Sequence, residues 1–176
     1  MMNSLALLFT LLPTLLIIIE AGVFLYILAK HFQNMHQTRL LNVRMKKDAV
    51  VLPVRLHAYE RVVLLLERIT PSNLLLRVSG VGQTAADYHR VLLTEIRNEF
   101  NHNMSQQVYM SDQIWQQVKQ TREEVVNLIN KTYQEMPENA RGNDLAKRIL
   151  ETILVEERDP TARAILAVKE EMREIF

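Results

Sequence analysis

The chain has 176 residues, a formal net charge of +1, no cysteine, four glycines and five prolines. A near-neutral balance argues against the basic face that a nucleic-acid binder needs, and a chain without cysteine has no thiol chemistry. Scarce glycine and proline with long amphipathic patterns predict an all-helical protein, with enough sequence after residue 29 for one modest core.

From Leu5 to Ala29 the sequence is almost continuously apolar, interrupted by Thr10, Pro13, Thr14, Glu20 and Gly22. A helix of about 20 such residues spans a bilayer, so residues 1–29 are expected to form a transmembrane anchor. A signal peptide fits less well: Met1–Ser4 carry no side-chain charge and no A-x-A site precedes Lys30. Lys30, Arg39, Arg44, Lys46 and Lys47 all come before the next acid, Asp48. That asymmetry predicts an outside N-terminus and a cytoplasmic C-terminal domain, the five cations either setting topology or meeting anionic lipid headgroups. Glu20 is the one acid inside the run. Simple protonation, self-association, pairing with another membrane subunit, or a direct part in transport or energy coupling would each explain it.

Residues 30–52 read as a basic juxtamembrane helix and hinge, with Pro53 opening the next helix as its first residue. Leu56, Tyr59, Val63 and Leu66 then form one stripe, widened by Val62, Leu65 and Ile69. Thr70-Pro71 ends that helix, Ser72 or Asn73 caps a short successor, and Gly80 to Gly82 make a loop. Thr84 is an N-cap for a helix over 85–101, with Tyr88, Leu92, Ile96 and Phe100 at i+4 steps. Residues 104–110 read equally as an extended link or a helical turn. Ser111 caps a helix over 112–136 whose Ile114, Val118, Thr121, Val125, Leu128 and Thr132 keep heptad-like spacing. Threonine at two seam positions favours a bundle helix over a free coiled coil. Asn143 caps 144–157, and Asp159-Pro160 starts a last helix with Ile165, Val168, Met172 and Ile175 on one face. The expected architecture is an N-terminal membrane helix followed by a cytoplasmic bundle of about five helices over 53–176.

No phosphate-loop, zinc-protease or hydrolase motif is present. His57 with Glu60, and Glu99 with His102, stand at i,i+3 and offer the only metal-like pattern, but one pair runs in reverse order. Arg55, Glu60, Arg61, Glu67 and Arg68 read as charged edges of a core helix. No catalytic, cofactor-binding or metal residue is assigned.

Residues 55–71 (RLHAYERVVLLLERITP) and 99–109 (EFNHNMSQQVY) resemble an uncharacterised family of small membrane-anchored proteins from Bacteroidota. The resemblance implies a bacterial inner-membrane setting with one span, and it brings no activity or site residues. The expected function is a non-enzymatic adaptor, scaffold or accessory subunit acting as a homo-oligomer or with other membrane-complex subunits. The alternatives are a transport or energy-coupling subunit that uses Glu20, and a metalloprotein or hydrolase.

Overall fold

The computed structural model describes the backbone of residues 2–156 and 159–175, and the side chains of 16–32, 49–155 and 159–175. Among these residues the fold is all-helical. The elements are α1 (Met2–Ile69), α2 (Pro71–Arg77), α3 (Ala85–Asn103), a 3-10 helix (Met104–Tyr109), α4 (Asp112–Gln134), α5 (Gly142–Glu156) and α6 (Ala162–Ile175). The chain divides into two compact units, Met1–Val51 and Leu52–Phe176.

In the first unit every described side chain from Leu16 to Phe32 is exposed. Among the described residues no helix is long and apolar enough to cross a membrane. The expected anchor, and with it the inner-membrane location with an outside N-terminus and a cytoplasmic domain, is therefore overturned. The apolar residues before Leu16, and Arg39, Arg44, Lys46 and Lys47, lie outside the described side chains. Pro53 does not open a helix: α1 continues through it. A proline inside a helix forfeits one hydrogen bond and crowds the carbonyl four residues back, a cost of about 3 kcal/mol that α1 absorbs.

In the second unit the last turns of α1 supply the centre of the core. Tyr59, Val62, Leu65, Leu66 and Ile69 recur at helical spacing and are fully buried. Thr70 turns the chain, its hydroxyl bonding the Leu66 carbonyl at 3.0 Å, and Pro71 begins α2 where no N–H partner is needed. Neither Ser72 nor Asn73 caps α2; the Asn73 amide instead donates to the Glu67 carbonyl at 2.9 Å. Tyr88, Leu92, Ile96 and Phe100 of α3 are buried, as their spacing predicts. Thr84 caps this helix by accepting from the Asp87 N–H at 3.1 Å. Residues 104–109 form the 3-10 helix, which resolves the ambiguity there.

Ser111 caps α4 through the Ile114 N–H at 3.2 Å. Thr121 and Thr132 are both buried, so the seam threonines belong to a packed bundle helix. Thr132 satisfies its hydroxyl on the Leu128 carbonyl at 2.8 Å. α5 begins at Gly142, earlier than a cap at Asn143 allows, and the Asp144 carboxylate accepts from the Arg141 N–H at 2.9 Å. Asp159 accepts from the Thr161 N–H at 2.8 Å just before α6, on which Ile165 and Val168 are buried.

The loops before α3 and α5 are pressed together. Ala85 N–H donates to Ala140 and Gly142 N–H to Gln83, at 2.9 and 3.0 Å, around a Thr84–Arg141 bridge. Gly80 and Gly142 meet backbone to backbone, with no room for a Cβ on either.

Candidate interaction surface

The polar groups that reach the interior are consumed by one another. The Tyr59 hydroxyl donates to Glu171 at 2.6 Å across 112 positions of sequence. The same carboxylate accepts the Ser111 N–H at 3.0 Å and the Ser111 hydroxyl. Thus α1, the start of α4 and α6 are tied at one carboxylate. Burial, then the hydrogen bond and charge of Glu171, push the Tyr59 hydroxyl up to about 12. Burial alone would raise Glu171, but the Ser111 and Tyr59 hydroxyls, the Ser111 N–H and the Arg55 charge outweigh it and hold the carboxyl below its ordinary range. A catalytic acid or base needs a pKa near the working pH. Here tyrosine stays protonated and glutamate stays ionised, which suits a structural tie.

The charged edges of α1 are engaged in the same way. Arg68 pairs with Glu99 at 2.6 Å, and the Asn103 amide donates to the Glu99 carbonyl at 2.9 Å. Arg61 reaches the Asn103 side chain and Arg55 the Tyr109 carbonyl, each at 3.3 Å. Arg122 stands 4.3 Å over the Phe100 ring, which stacks on Trp115. His57 and Glu60 do meet, at 3.0 Å on an exposed face, but Glu99 is turned to Arg68 rather than to His102. His89 stacks on Tyr133 and bonds Asn130 at 2.7 Å. Among the described residues no three histidine, cysteine or acidic side chains are grouped to hold a metal. No buried side-chain nitrogen or oxygen among them lacks a partner.

Among the cavities lined by described residues of this unit are two of about 470 Å³. One is polar, walled by Gln113, Gln116, Gln117 and Gln120 of α4 and by Asp159 and Arg163. The other lies between the last turns of α1 and the 3-10 helix, with Val54, Ala58 and Val108 as its apolar lining and His57, Arg61 and Gln106 among its polar groups. Val108 is 73% exposed and Val54 44%. Of the residues singled out from sequence, Glu20 and Lys30 are exposed in the first unit.

Sequence reasoning missed Glu171 and the groove. An acid three residues after Val168 on the apolar face of α6 was the available signal for the first, together with the buried tyrosine that needed a partner for its hydroxyl. The groove depends on a 3-10 helix that periodicity does not reveal.

No curated protein and no solved structure matches the chain. Residues 2–175 match the Family of unknown function (DUF7935), and the chain belongs to that family.

Proposed function

We propose that this protein is a non-enzymatic adaptor or scaffold whose helical domain binds a partner protein through the groove between α1 and the 3-10 helix. The observation that carries this reading is the pair of exposed valines, Val54 and Val108, lining a cavity of about 470 Å³. An amphipathic partner helix fits such a groove by seating apolar anchors in it, while His57, Arg61 and Gln106 supply polar contacts.

The test is a photo-crosslinking side chain placed at Val108 of the full chain in its source cells. A discrete adduct at Val108, absent when the probe sits at the exposed Leu166, is the expected result. Identical adduct patterns from both positions would refute the reading.

A further inference from the structure

Residues 16–32 form an apolar helical segment whose described side chains are all exposed, with Leu16 at 54%, Val23 at 53% and Ile27 at 57%. A helix that is apolar all round does not remain bare in water. Its charges say what covers it. Leu16, Glu20, Val23, Ile27 and Lys30 follow each other at steps of four, three, four and three, which is one heptad seam. Two copies laid parallel along this seam would set Glu20 against Glu20 and Lys30 against Lys30. Laid antiparallel and centred on Leu25, they set each Glu20 level with the partner subunit's Lys30, and each Val23 level with the partner subunit's Ile27.

We propose that residues 20–30 pair antiparallel with the same residues of a second copy of this chain, through two Glu20–Lys30 contacts around a valine–isoleucine centre. The opposite charges are ten positions apart, so one register satisfies both ends at once. Like charges in that seam would be repelled, which selects the antiparallel arrangement. This inference does not rest on the groove, and the two fail separately.

The natural chain has no cysteine, so single thiols report cleanly. Full-length Val23→Cys and Ile27→Cys proteins are oxidised alone and mixed, and the uncrosslinked chain is sized by light scattering. The expected result is two chains, with disulfides forming chiefly between unlike variants. Glu20→Lys and Lys30→Glu each weaken the assembly about tenfold or more, and the double exchange restores it. A monomer, disulfides mainly between like variants, a double exchange that fails to restore, or partition of the chain into lipid vesicles in place of self-association would each overturn the proposal.

Discussion

Replacing Gly142 by alanine tests how the helical domain is closed. A methyl group there would stand 2.5 Å from the Gly80 carbonyl oxygen, 3.0 Å from the Gly80 Cα and 3.1 Å from the Tyr88 Cβ. None of these atoms is the free end of a flexible side chain, so the two loops must part. Overpacking of this kind costs about 1–3 kcal/mol. Separation also strains the two loop–loop hydrogen bonds at Ala85 and Gly142, at about 1 kcal/mol each. The expected loss is therefore about 2–5 kcal/mol, or a fall in Tm of about 4–20 °C at about 2–4 °C per kcal/mol. Urea and thermal melts followed by circular dichroism measure it. Gly22→Ala is the control, because nothing lies within 4 Å of its added methyl. A Gly142→Ala midpoint within about 0.5 kcal/mol of the natural chain would refute the backbone contact.

Tyr59→Phe removes a donor from a partly buried carboxylate and is expected to cost about 1–3 kcal/mol at pH 7. The folded tyrosine titrates at about 12 against about 10 unfolded, so its contribution is complete below pH 10 and is lost as pH rises toward 12. The stability gap between natural chain and Tyr59→Phe should narrow over that window; a gap unchanged there contradicts the assignment. Glu171 runs the other way. Its folded carboxyl is lowered, so its contribution is present above the unfolded value of about 4.3 and is lost as pH falls through the folded one. Acid titration should bring the natural chain and Glu171→Gln together, and parallel curves would show that the charge is not what Ser111 and Tyr59 bind. Thr161→Val deletes a buried hydroxyl bonded to Thr70 at 2.6 Å and to Asp159 at 2.7 Å, and should destabilise by about 1–3 kcal/mol in the same melts. An unchanged midpoint would remove that link from the account.

What sequence could show followed the range of the interactions involved. The stripes Tyr88–Phe100 and Ile165–Val168 and the caps at Thr84 and Ser111 are set by neighbours within a turn or two, so spacing alone located them. Glu171 joins Tyr59 and Ser111 across 112 and 60 positions, and Gly142 meets Gly80 from a separate loop; no local pattern encodes either. The all-helical class was legible from composition because glycine and proline are too rare to punctuate strands. The run around Glu20 misled for a physical reason. Apolar composition reports that a helix wants cover, and it does not distinguish lipid from another helix. Pro53 misled because a proline's lost hydrogen bond and crowded carbonyl disfavour a helix interior without forbidding it, and α1 runs on through it.

The central claim is that the exposed valines beside the 3-10 helix hold a partner. Its most direct measurement compares affinity enrichment from source cells of the full chain with that of a Val54→Asp, Val108→Asp double variant. Both positions are on the surface, so the fold should keep its stability to within about 0.5 kcal/mol per site. The account predicts that a protein crosslinked at Val108 in the natural chain disappears from the double variant while its melt is unchanged. Equal recovery of that protein by both chains would contradict it.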